Sequence, residues 1–146
     1  MKYLFLLVAP ILISCTSNSI SEVNVEEFIN TVQNYQSMYV EGNENNCDKI
    51  LAMVDENIEF TENGDIWTKS DMTQYCPYLP KKDVFETVSN QKLFTSELAY
   101  DFVNQLYLNQ DMDKMSETTS RVWKKTGDKW KIVKMDIARY QIADSN

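Results

Sequence analysis

Apolar residues recur along this chain in two rhythms, and the change of rhythm divides it. Over residues 25–41, Val25, Phe28, Ile29, Val32, Tyr35, Met38 and Tyr39 fall at spacings of three and four, the stripe of an amphipathic helix that Gly42 ends. Asn45 or Asn46 can cap a second, shorter helix through Cys47, Ile50, Leu51 and Val54. Asn57-Ile58-Glu59-Phe60-Thr61 then alternates as a strand does, Glu62-Asn63-Gly64-Asp65 makes a turn, and Ile66-Trp67 reads as a short returning strand. Ser70 is placed to cap a third helix over residues 71–75, which Pro77 and Pro80 stop.

From residue 84 onward the pattern is that of long strands. They are expected over 84–94 and 98–108, with an acidic turn over 109–114. The stretch 118–136 predicts two more, joined at Thr126-Gly127-Asp128, where a glycine sits at the reversal and both flanks mix β-branched and aromatic residues with charges. Helices first and strands afterwards predict an α+β domain. The expected architecture is a cone: a strongly curved antiparallel sheet wrapped over the N-terminal helices, with an interior.

The last hairpin also carries a resemblance. Ser120-Arg121-Val122-Trp123, a lysine pair, Gly127 and then Lys129-Trp130-Lys131-Ile132-Val133 is similar to the final hairpin of the nuclear transport factor 2-like superfamily. Within it, similar patterns occur in small bacterial SnoaL-like domains of unknown function and in the association domain of calcium/calmodulin-dependent protein kinase II. Element order extends the likeness over residues 25–138, whereas the motif is confined to that hairpin. The superfamily contains isomerases, dehydratases, cyclases and domains with no catalysis, so the resemblance implies a fold and leaves the activity open. Because its members commonly pair through the exposed sheet face, it also implies a homodimer.

The start of the chain predicts an address. Lys2 precedes an apolar run over residues 3–13 that is too short to span a bilayer, which reads as a secretory signal over 1–14. Its end, Leu12-Ile13-Ser14-Cys15, resembles the bacterial lipobox, in which the cysteine is diacylated with fatty chains such as palmitate and the peptide is cut before it. Cys15 is therefore the expected lipidation site, and the bacterial cell envelope the expected location, with the membrane reached through that lipid. Residues 15–23, rich in Ser, Asn and Thr, read as a flexible tether to a domain over 24–140, followed by a tail over 141–146. Loss of Lys2 with the leader leaves 22 acidic side chains against 13 basic, a formal charge of −9, which argues against nucleic acid as a partner.

Histidine is absent, which removes the commonest general base and the commonest transition-metal ligand. With three glycines in all there is no phosphate-cradling loop, and no Cys or Cys/His spacing suggests zinc. Asn109-Gln110-Asp111-Met112-Asp113 lacks the glycine and terminal glutamate of a calcium loop and reads as a solvated turn. No metal, cofactor or catalytic residue is assigned. Cys47 and Cys76 remain once Cys15 is lipidated; in an exported chain a structural disulfide is expected, with two free thiols as the alternative.

Arg121 shares a strand face with Thr119 and Trp123, a parity that leaves inward or outward open. In the association domain the arginine of the matching Arg-Val-Trp lines the interior pocket, so the resemblance implies that Arg121 points into the cone. Asp136 stands where that family usually has a histidine near the pocket, and by register it is the expected partner of Arg121. Unpaired, Arg121 would suit a small carboxylate, because a guanidinium presents two parallel donors. The alternative is an exposed arginine and a solvated carboxylate. Tyr39, Trp67 and Tyr100 are the aromatic candidates for lining the same ligand site, although rings on such faces also serve as plain core. The leading functional expectation is a lipid-anchored domain that binds a small molecule or a protein partner without catalysis. Its rivals are an isomerase, dehydratase or hydrolase using an interior carboxylate and tyrosine, and a structural dimerisation module.

Overall fold

The structure is a computed structural model that describes residues 22–42 and 46–143. The leader, Cys15, most of the tether, Asn45 and residues 144–146 lie outside the described residues. Helix α1, Glu22–Glu41, buries Phe28, Val32, Tyr35, Met38 and Tyr39, the core of the predicted stripe. Gly42 ends it at φ 70°, and a Cβ there would lie 2.7 Å from the backbone of Pro80 and Lys81, so both conformation and space require glycine. Helix α2, Cys47–Ala52, ends two residues before its pattern does, because the chain leaves it at Met53 and Val54 opens strand β1, Val54–Glu62. Fully buried Val54 pairs with Ile132.

Strand β2, Asp65–Trp67, returns on β1 and leads into helix α3, Lys69–Tyr75. The cap of α3 is Thr68, not Ser70. Its hydroxyl accepts from the Asp71 N–H while its own N–H donates to the Asp71 carboxylate at 2.8 Å, a capping box. A 3₁₀ turn, Cys76–Tyr78, follows, and the Cys47–Cys76 disulfide ties it to α2 with the Cα atoms 5.6 Å apart. Strands β3 (Asp83–Leu93), β4 (Leu98–Leu108), β5 (Lys114–Thr126) and β6 (Lys129–Gln141) complete the chain.

The α+β class holds, but the expected antiparallel cone does not. The six strands lie in the open order β2-β1-β6-β5-β4-β3, and β1 runs parallel to β6, with Phe60 beside Met135 and Thr61 beside Asp136, so the sheet is mixed. Its two ends, β2 and β3, are edges rather than a closure, so this is not a strongly curved antiparallel wrap. The element order is as expected, with α3 between the short β1–β2 hairpin and the four long strands. Alternating side chains specify which face of a strand is buried, not which strand lies beside it or in which direction.

Helix α1 lays its stripe on one face of this sheet. There Phe28 meets Trp123 edge-on at 6.0 Å and Trp130 at 5.0 Å, while Tyr35 meets Trp123 edge-on at 5.6 Å. This inner face also receives the side chains that follow.

Candidate functional site

Two clusters of charge are buried between α1 and the sheet. The first is centred on Asp101 of β4 and Arg121 of β5, directly opposite each other in the ladder and 0% and 1% exposed. Arg121 Nε donates to both carboxylate oxygens at 3.0 and 3.2 Å, and Nη2 donates to Oδ2 at 2.5 Å and to Gln36 Oε1 at 3.0 Å. Trp123 Nε1 donates to Asp101 Oδ1, and the guanidinium lies 4.9 Å from the Tyr35 ring centre. Burial works against the charge on Arg121, but its bonds to Asp101 outweigh that and raise its pKa.

The second cluster begins where β3 does. Lys82 is 3% exposed; its backbone N–H donates to Val40 O, and its ammonium reaches Glu117 at 2.6 Å with the Tyr39 and Tyr107 rings 4.2 and 4.9 Å away. The other Glu117 oxygen accepts from Arg139 Nε at 2.7 Å, and Arg139 Nη1 continues to Glu62 at 2.7 Å. Burial pulls Lys82 down to about 8 against the pull of Glu117. Burial would raise the Glu117 carboxyl, yet Lys82 and Arg139 together hold it below its ordinary value. Across the two clusters three cations, Lys82, Arg121 and Arg139, meet three carboxylates, Glu62, Asp101 and Glu117. The buried face is neutral as a whole, as a low-dielectric setting demands.

The five residues expected to form one ligand site are divided between the two faces of the sheet. Arg121 lies on the inner face but pairs with Asp101 rather than Asp136, so a carboxylate guest would find its Nε and Nη2 donors already engaged. Asp136 points to the outer face, where it accepts from Thr61 Oγ1 at 2.6 Å. Tyr100 is on that outer face too, and with Asp136, Phe102 and Ser120 it lines a shallow depression. Tyr39 and Trp67 line a narrow inner slot with Phe60, Glu62, Tyr75 and Leu79, about 30 Å³ in volume, room for one water. The inner residues that sequence reasoning left out are Asp101, Lys82, Glu117 and Arg139.

A larger space lies on the other side of α1. It is a groove of about 360 Å³ between that helix and strands β3 and β4, walled by Gln33, Gln36 and Ser37 from α1 and by Ser89, Gln91 and Gln105 from the sheet. Gln105 is 3% exposed, and its Oε1 has no hydrogen-bond partner among the described residues. No group of three or more His, Cys, Asp or Glu among the described residues could hold a metal ion, and no described helix is long and apolar enough to cross a membrane.

No protein-family model and no curated protein matches the sequence. Solved structures do match the fold. The chain is similar to a protein of unknown function from the DUF3225 family of Pectobacterium atrosepticum (TM-score 0.63, 11% identity, 84% of this chain and 94% of that one). It is also similar to the association domain of CaMKII from C. elegans (0.61, 14%, 80% and 95%). A third match is a hexachlorocyclohexane dehydrochlorinase, LinA type 2 (0.58, 11%, 86% and 96%). At these identities the likeness establishes the NTF2-like fold alone, on which an enzyme, an association domain and a protein of unknown function all occur.

Proposed function

We propose that this chain is a bacterial envelope lipoprotein, acylated at Cys15, whose folded domain binds a small molecule in the groove between α1 and the β3–β4 pair without catalysing its conversion. The observation that carries the reading is the contrast between the two sides of α1. On one side the interior acids and bases are tied to one another; on the other a groove of about 360 Å³, within the range of small-molecule sites, carries no charge. A general base needs a free lone pair facing a substrate, and the two most deeply buried carboxylates, Asp101 and Glu117, have both oxygens engaged by Arg121, Trp123, Lys82 and Arg139. Native mass spectrometry of the protein taken from its own membrane tests this. The expected result is a retained small mass that is lost in Ser89→Trp, a substitution on the exposed rim of the groove. A retained mass indifferent to that change, or none at all, overturns the reading.

For a protein partner, the outer sheet face suits a second copy of this chain. Tyr100, Phe102, Asn104, Thr118, Ser120 and Val122 form a half-buried band with no charge, in a chain of formal charge −8 whose copies otherwise repel. Tyr100→Glu should convert a dimer to a monomer in sedimentation velocity, and a monomeric wild type would remove the proposal.

A further inference from the structure

The free edge of the sheet at β3 carries an inference separate from the groove and from the outer-face contact. Strand β3 bonds to β4 on one side and to no described strand on the other, so its outward N–H and C=O groups line an edge over Asp83–Leu93, with residues 85–90 all exposed. Such edges are ordinarily guarded by a proline, by charge of one sign or by an irregularity. Here the irregularity, a bulge between Val84 and Glu86, lies at one end. Beyond it, residues 86–92 pair with β4 one to one, contain no proline, and hold a single acid and a single base, Glu86 and Lys92. Those charges stand three residues to either side of Ser89. Both project from the outer face, where the β4 residues across from them, Leu106 and Tyr100, are uncharged. Glu86 has no ion-pair partner among the described residues, and the Lys92 ammonium rests over the Phe94 ring at 5.1 Å without a carboxylate.

A second copy turned about a two-fold axis through Ser89, normal to the sheet, lays its own β3 antiparallel along this one. In that register Glu86 stands opposite the partner's Lys92 and Lys92 opposite the partner's Glu86, while Ser89 meets itself and Thr87 faces the partner's Gln91. A shift of two residues is the smallest that keeps inner side chains beside inner ones; it brings Glu86 to Asn90 or to Phe94 instead, and both charge pairs are lost. The inner side is compatible with this contact, because Thr87, Ser89 and Gln91 floor the uncharged groove and two such floors would adjoin. The other edge of the sheet, β2, is only Asp65–Trp67, so a head-to-tail contact of β3 with it would bond three residues of strand instead of seven. We infer that two copies of this chain pair edge to edge through β3, in the one register that matches Glu86 to Lys92, continuing the sheet across both. So short a contact has the size of a transient interface, and it forms where copies are concentrated, as on the membrane proposed above, rather than in dilute solution.

The test is crosslinking of the full chain in detergent by a short bis-maleimide, from micromolar to millimolar protein, with the wild type as blank. Ser89→Cys sets a thiol beside its symmetry mate on the inner side, where an outer-face dimer brings no two Ser89 residues together, and Gln110→Cys in the exposed β4–β5 turn measures random collision. Ser89→Cys should link faster than Gln110→Cys, increasingly so with concentration. Adding Glu86→Lys or Lys92→Glu places like charges opposite each other at both ends and should slow the reaction about tenfold, whereas both changes in one chain should restore it. Equal rates for Ser89→Cys and Gln110→Cys, or a charge-exchanged chain no faster than the single reversals, overturn the pairing. Amide exchange of the wild type reads the same edge: protection of the outward amides in residues 86–92 should rise with concentration. Protection that does not change with concentration overturns the pairing, and if it is already high in dilute protein, another strand, the chain's own tether or a bound peptide, holds the edge instead.

Discussion

Asp101 and Arg121 sit directly across the β4–β5 ladder from each other, and the carboxylate is held from both sides by the guanidinium and the Trp123 indole. This arrangement satisfies a buried cation, a buried anion and a ring N–H together. It leaves the stability of the inner face dependent on all three being present.

Asp101→Asn should therefore destabilise the domain by about 3–5 kcal/mol, because it strands a fully buried guanidinium without its counter-charge. Replacing both partners, as Asp101→Leu with Arg121→Met, should recover most of that loss. The remaining deficit should be about 1–3 kcal/mol, the cost of leaving Trp123 Nε1 without an acceptor. Urea unfolding of the three proteins measures this, and a double variant as unstable as the single one would show that the charge pair is not the source.

The same pair marks how far the sequence could be read. Helix α1, the capping region of α3 and the four long strands follow from periodicity and turn residues, and the elements fall where the pattern puts them to within a few residues. The neighbours do not. Alternation around Tyr100 and Phe102 sets Asp101 on the opposite face from both, and Arg121 shares its face with Trp123. Yet only the position of the β4–β5 turn says that the two charges meet. With Asp111 at its centre they stand ten residues to either side, so the signal was present in the chain length between them. Register on the adjacent strand makes Asp136 the expected partner, but its ladder partner is Ser120, one residue before Arg121, and a one-residue step changes the face. Lys82 and Arg139 are harder. Lys82 precedes its strand, and its burial comes from the Val40–Lys82 backbone bond and the close passage of Gly42 beside Pro80 and Lys81, contacts across some 40 residues that no local pattern encodes.

Reduction of the disulfide should cost about 3–4 kcal/mol, the chain-entropy expectation for a closed loop spanning the sequence separation of 29 between Cys47 and Cys76. The loss should centre on α2, α3 and the 3₁₀ turn, since the bridge is what fastens that turn to α2 and α3 itself has no buried residue. Amide exchange with and without reductant reads both effects. Equal protection of residues 69–78 in the two conditions would dissociate the bridge from the order of that segment.

On the proposed acylation at Cys15, Cys15→Ala should release the domain from membranes, because two or more acyl chains hold stably where a single one is marginal and no described helix is long and apolar enough to span. Fractionation at high salt is the measurement. A variant that still sediments with membranes under those conditions would mean that something other than the Cys15 lipid holds it there.

Stability should rise and then fall across the alkaline range, for two opposed reasons located on the same inner face. Lys82 is pulled by burial from 10.5 to about 8, so between those values the unfolded chain binds a proton that the folded one has released. Where the unfolded state holds more protons, stability increases with pH, so this limb climbs from about pH 8 towards 10. Tyr35 is pushed by burial from 10.0 to about 12, which reverses the sign. Above pH 10 the unfolded phenol ionises first, and the stabilisation from keeping it neutral is lost as pH rises through 12. Two units correspond to about 3 kcal/mol for that single fully buried hydroxyl, enough to turn the curve over. Urea midpoints from pH 7 to 12 should pass through a maximum near 10. Lys82→Met should flatten the climb, and Tyr35→Phe should soften the descent. A climb of undiminished slope in Lys82→Met would place the alkaline gain in some other group and remove the buried ammonium as its cause.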